Sequence, residues 1–341
     1  MNNQLNRVGN IEKLGASSEP INLNPLTSTN VERLKVKFIP ENESFSDFLI
    51  KNLISELRLN LKESGDILVS WVNAYYKWKF QNNETDSIHP DESGMHMTGN
   101  VRSLLNLAFD VYCLILEGAF PNDLRKRLRL NKEFQGVLYE IQVASIVVRA
   151  NFSISYTDPQ LYNDMGKKCE FIAIHKVTKE KIGFETKSKH FRGILHFNEG
   201  NTPDNIKPSF LGRLMNEAKE QRPKELPFII FIDENIPPNK DVINEGIPYL
   251  DEHINFFESD YRRYIVDKER CPYNYLIITN YSDYYFSDEL VPDKGYVKMI
   301  SSEYPMNMMQ NDALMFQDLL SSIARYSNAI NKITEEINKC Y

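Results

Sequence analysis

The residues with the most chemical content stand 15 positions apart. Glu170 lies in Cys169-Glu170-Phe171-Ile172-Ala173-Ile174, and Glu185 lies in Phe184-Glu185-Thr186-Lys187. Side chains alternate along a strand, so Glu185 and Lys187 share a face. A turn through residues 177–181 would bring Glu170 alongside them. Two carboxylates are hard oxygen ligands of the kind Mg²⁺ or Mn²⁺ takes. A lysine beside them can hold a water and stabilise the charge that develops on a phosphate. Together these groups suit metal-assisted phosphodiester hydrolysis.

Several elements must position them. Residues 132–150 read as a helix, with Phe134, Val137, Leu138, Ile141, Ala144, Ile146 and Val148 as its apolar positions. Glu140 stands among them. A buried carboxylate is costly without a partner or a metal, which makes Glu140 a third candidate ligand. The alternative is that it lies on the helix's solvated stripe. Asn151 breaks the helix, and 152–156 alternates as a strand. The next two strands are 169–175, with Glu170, and 182–188, with Glu185 and Lys187. A helix at 210–221 leads to 228–232, a continuous apolar run expected of a buried central strand. Residues 275–279 have the same character, with 249–266 helical between them. Residues 296–300 read as an edge strand and 311–340 as a closing helix.

Upstream the chain is helical. Residues 1–40, rich in Asn, Ser, Thr and Pro, read as a loose or docked arm with one short strand at 34–39. Ser44 with Asp47 three residues on has the shape of a capping box, and Gly65 closes the helix that follows. A second helix spans 66–80, an exposed loop 81–99, and a very apolar, buried helix 100–116. A short basic helix at 122–130 carries Arg125, Lys126, Arg127 and Arg129. The resulting organisation is an arm at 1–40, a helical domain at 41–130 and an α/β domain at 131–341 with a C-terminal extension. The fold class is α/β, of mixed α+β type.

Composition bounds the function. The 341 residues are 42% hydrophobic and 26% charged, ordinary for a globular chain. The start lacks an apolar signal segment, and no 18-residue apolar run exists. The four cysteines are dispersed without a CxxC pair, which argues against structural zinc and fits reduced thiols in a cytoplasm. The net charge of −7 is uneven: residues 121–225 hold 19 Lys/Arg against 13 Asp/Glu, a net of +6 around the suspected site. A local positive field steers phosphate even on an acidic protein. GxSxG, Walker, HExxH and GxGxxG patterns are absent, and the six histidines are scattered.

The order helix, three strands, helix, strand over residues 132–232 resembles the restriction-endonuclease-like superfamily, named for its PD-(D/E)XK motif. Glu185-Thr186-Lys187 stands as the motif's second half. Its first half is usually Asp, often after Pro, and here reads Cys169-Glu170. The family's first helix commonly supplies a further acid, and Glu140 occupies that place. The resemblance implies a Mg²⁺- or Mn²⁺-dependent nuclease, with DNA as the substrate, Glu170, Glu185 and Glu140 on the metal, and Lys187 positioning the nucleophile. Glu170 is one methylene longer than Asp, so its oxygens reach roughly 1.5 Å further. Asp158 and Asp164, in the loop before it, are alternative ligands.

Lys189, His190 and Arg192 follow the motif and could contact phosphate, as could Arg125, Arg127, Lys219 and Gln221. For each, a solvated surface is the plainer reading. Residues 41–130 could bind DNA or a protein partner, or mediate a homodimer. The competing reading is a catalytically inactive nuclease-fold module that binds nucleic acid or protein. A third is a helical interaction protein whose E-x-K is accidental, with Glu140, Glu170 and Glu185 far apart.

Overall fold

The computed structural model describes residues 44–63, 65–83, 97–156, 168–190, 195, 209–235, 250–281, 283–286, 296–302, 305–310 and 312–326. The expected arm at 1–40, Asp158, Asp164 and Arg192 lie outside them. In chain order the elements are α1 (Phe45–Leu57), α2 (Ile67–Asn83), α3 (Gly99–Leu116), α4 (Asn122–Leu128) and α5 (Phe134–Arg149), then β1 (Phe152–Tyr156), β2 (Phe171–His175) and β3 (Lys181–Ser188). There follow α6 (Ser209–Glu220), β4 (Phe228–Asp233), α7 (Leu250–Val266), β5 (Tyr275–Asn280), a 3₁₀ turn (Asp283–Phe286), β6 (Tyr296–Ser301) and α8 (Asp312–Tyr326). The fold is mixed α/β, and its core has the helix, three strands, helix, strand order read from the sequence.

One six-stranded sheet runs β1-β2-β3-β4-β5-β6. The two apolar runs without polar interruption form its centre, and β4 and β5 are buried along their whole length. β4 pairs in parallel with β5 on one side and β3 on the other, while β1, β2 and β6 are antiparallel to their neighbours. The two faces carry separate clusters. Phe171, Phe184 and Phe231 join the α5 side, and Phe228, Ile230 and Ile232 join the α6 side.

Register builds the site. In the β2–β3 hairpin Phe171 faces Phe184, so Glu170 falls opposite Glu185. The sequence places Glu170 within the strand, whereas it occupies a bend just before it. β2 ends its pairing at this point, but β3 continues to Ser188 along β4. The sheet therefore opens beside Glu185. Two residues earlier, Gly183 lets Pro223 close on the strand: a Cβ there would lie 2.6 Å from Pro223 Cγ. Gly183→Ala should destabilise the fold by roughly 1–3 kcal/mol through overpacking. A denaturant midpoint checks this, and an unchanged midpoint would contradict it.

The helices before residue 131 share one continuous core with the sheet, running from Phe45 to Ile323. Residue 130 is thus no boundary in the packing. Ser44 caps α1 as its sequence suggests, accepting the Asp47 N–H at 3.2 Å. The helix ends at Leu57, well short of Gly65. Arg58 adopts a left-handed conformation (φ 50°) and returns its N–H to Ile54, turning Leu59 inward. α8 docks through His175 Nε2, 3.2 Å from Asp318 Oδ2, and through Ser322 Oγ, which donates to the Ile146 carbonyl at 2.7 Å. Beyond Tyr326 the expected closing helix lies outside the described residues. No helix among the described residues is long and apolar enough to cross a membrane.

Candidate functional site

Period-two alternation puts Glu185 and Lys187 side by side on the α6 face of β3. Lys187 Nζ lies 2.6 Å from Glu185 Oε1 and donates to Gln221 Oε1 at 3.0 Å. Gln221 follows the last turn of α6, so that helix steadies the lysine. Glu185 Oε2 accepts the main-chain N–H of Glu170 at 3.1 Å. Glu185 is 0% exposed. Burial pushes its carboxyl up to about 8, against the opposing pull of Lys187, and the charge of Glu170 raises it further.

Glu140 approaches from the other side, on α5, and is 3% exposed. Its Oε2 lies 3.0 Å from Arg127 Nη1. Burial pushes the Glu140 carboxyl up to about 9, with the charge of Glu170 and a hydrogen bond to it acting in the same direction and Arg127 opposing. The Glu140 carboxyl is thereby biased toward its neutral form, hydrogen-bonded to Glu170. Tyr156, at the end of β1, faces the same carboxylates. Burial and the charges of Glu140 and Glu170 hold its phenol well above the usual range.

The structure thus links Glu140, Glu170, Glu185, Lys187 and Gln221 in one chain of contacts. Glu170 is the link, meeting Glu140 through its side chain and Glu185 through its main chain. This is not a ready-made cage: among the described residues no group of three or more His, Cys, Asp or Glu side chains is arranged to hold a metal ion. The donor chemistry nevertheless fits a hard divalent cation. It is all carboxylate oxygen, and burial, with the charge of Glu170, raises the Glu140 and Glu185 carboxyls against the pull of Arg127 and Lys187.

Most of the basic candidates face acids instead of open surface. Arg125 Nη2 is 3.2 Å from Glu56 Oε2, and its guanidinium lies over Phe120. Arg127 is shared among Glu140, Glu133 and Asp123. Lys219 Nζ is 2.5 Å from Asp260 Oδ2 and lies over the Tyr264 ring. Arg125 thus reaches α1, Arg127 reaches α5 as well as its own helix, and Lys219 reaches α7. Lys189 and His190 stay beside the site, at the end of β3. The His190 ring seats on Gly136, where a Cβ would lie 2.7 Å from Nε2. Burial, then the charge of Lys189, lowers the His190 pKa, so the ring is neutral at pH 7.

Sequence reasoning missed Tyr156 and a second polar group under the sheet. Asp233, 3% exposed, accepts from Ser188 Oγ and Thr279 Oγ1 at 3.3 Å and from the Tyr281 N–H at 3.4 Å. Burial pushes its carboxyl up to about 7. It ties the C-terminal ends of β3, β4 and β5 together. Its signal was an acid ending an apolar run directly, where the ends of parallel strands gather. Comparison with protein-family models, with curated proteins and with solved structures gives no match to this chain.

Proposed function

We propose that this chain is a divalent-metal-dependent nuclease that hydrolyses phosphodiester bonds of nucleic acid, in a cytoplasmic setting. The observation that carries the reading is the wholly buried Glu185 with Lys187 2.6 Å away, opposite Glu170 where the sheet opens. DNA is the substrate class favoured by the motif resemblance. Glu170 and Glu185 would hold Mg²⁺ or Mn²⁺, with Glu140 assisting. When bound, the ion supplies Lewis-acid polarisation of the phosphate and charge neutralisation. The chain's own residues do the rest. Glu185 and Gln221 hold the Lys187 ammonium in place, and that ammonium orients the attacking water and meets the charge developing on the phosphoryl oxygens. Arg127 fixes the Glu140 carboxyl, and burial excludes bulk water from Glu185.

One observation favours a second reading, an inactive nuclease-fold module that binds nucleic acid or protein. Arg127 already gives Glu140 a cationic partner, as it would in a site that has lost its metal. Titration of Mn²⁺ separates the two. On the nuclease reading Glu170→Asp keeps metal affinity within about tenfold, which is about 1.4 kcal/mol. Glu170→Gln, which removes the charge, weakens binding far more. Equal calorimetric affinities in the native, Asp and Gln proteins would remove Glu170 from the site.

A further inference from the structure

We propose that Tyr156 is a positioning residue of this site, its phenol a hydrogen-bond donor kept for the Glu140 and Glu170 carboxylates in their cation-bound arrangement. The inference rests on the nuclease reading and deepens it. Tyr156 pairs with Phe171 in the β1–β2 ladder and packs edge-on against its ring, with centroids 5.9 Å apart. Phe171 directly follows Glu170, so the ladder places Tyr156 across from the residue next to Glu170. Alternation along β1 turns Phe152, Ile154 and Tyr156 toward the α5 cluster, the face from which Glu140 comes. The phenol oxygen is buried and has no hydrogen-bond partner among the described residues. The charges it responds to are those of Glu140 and Glu170, with Arg127 behind them.

An unmade hydrogen bond on a buried hydroxyl is expensive, and a phenylalanine would keep the ring packing without that cost. A hydroxyl at this position is therefore explained by a partner acquired in another state of the site. Carboxylates are that partner. Each can accept about four hydrogen bonds, and Arg127 meets Glu140 at Oε2, 3.0 Å away. When Glu140 and Glu170 turn to a shared cation, they give up their mutual hydrogen bond. The Tyr156 hydroxyl can then support whichever oxygen faces away from the ion, as outer groups do for metal-binding carboxylates.

The test compares Tyr156→Phe with the native protein in two measurements. Thermal melting of the metal-free proteins should show the variant as stable as the native protein or more so, since a buried unpartnered hydroxyl is removed. Calorimetric titration with Mn²⁺ should show affinity falling by about tenfold in the variant. A merely structural role for the tyrosine would reverse the pattern, lowering the melting temperature and leaving Mn²⁺ affinity alone. Equal Mn²⁺ affinity in both proteins overturns the role of Tyr156 and leaves the nuclease reading standing. A native protein that takes up no Mn²⁺ overturns both.

Discussion

The metal-free protein should lose stability as pH rises from about 5 to about 9, and Glu140→Gln should remove much of that loss. Burial raises the carboxyl of Glu140 to about 9 and that of Glu185 to about 8, from an ordinary value of 4.5. Between the ordinary and the raised values the folded chain binds protons that the unfolded chain has released. Stability from these groups is therefore fully present below about 4.5 and is lost as pH rises through 8 to 9. A tenfold difference in proton affinity between the two states corresponds to about 1.4 kcal/mol, so the loss is on the order of 4 kcal/mol for one such group. Glutamine keeps the shape of Glu140 without the titration. The variant should be at least as stable as the native protein at pH 9 by urea unfolding, with a flatter pH profile. Mn²⁺, binding only the folded chain, should restore the native protein at high pH by about 2.7 kcal/mol at a hundred times its dissociation constant. Identical slopes in native and variant between pH 5 and 9 would contradict this account of Glu140.

What the sequence revealed of the site was what local periodicity determines. Glu185 and Lys187 are two apart on a strand, so their common face follows from the pleat. Glu170 falls opposite Glu185 because a short hairpin joins their strands. Glu140 was legible because apolar neighbours on its helix imply burial, and it is buried. What failed to show were partners set by packing between distant elements. Lys219 and Asp260 are 41 residues apart, and the ion pair between them depends on how α6 meets α7. Arg127 looked like one member of a wet basic run, and only the packing of α4 on α5 turns it onto Glu140. That residues 41–130 share their core with the sheet escaped the sequence for a similar reason. A polar connection such as residues 129–133 marks the end of a helix, but says nothing of whether the cores on either side join. Tyr156 sat in an ordinary alternating strand, and its meaning comes from the residue it pairs with.

On the proposed nuclease reading, the Lys187 ammonium, steadied by Glu185 and Gln221, is the group most directly tied to bond cleavage. Its loss removes both the water's orientation and the charge that meets the pentacovalent phosphate. Removing a single group of that kind costs about 100- to 1000-fold in rate. Glu185→Ala should cost at least as much, since it removes a proposed ligand and the partner of Lys187 together. The direct measurement is cleavage of duplex and single-stranded DNA in Mg²⁺ or Mn²⁺ by the native protein, Lys187→Ala and Glu185→Ala, with folding of each confirmed by circular dichroism. The account predicts metal-dependent cleavage by the native protein, abolished by chelation and reduced at least about 100-fold in both folded variants. Metal-dependent cleavage that persists undiminished in both would contradict it.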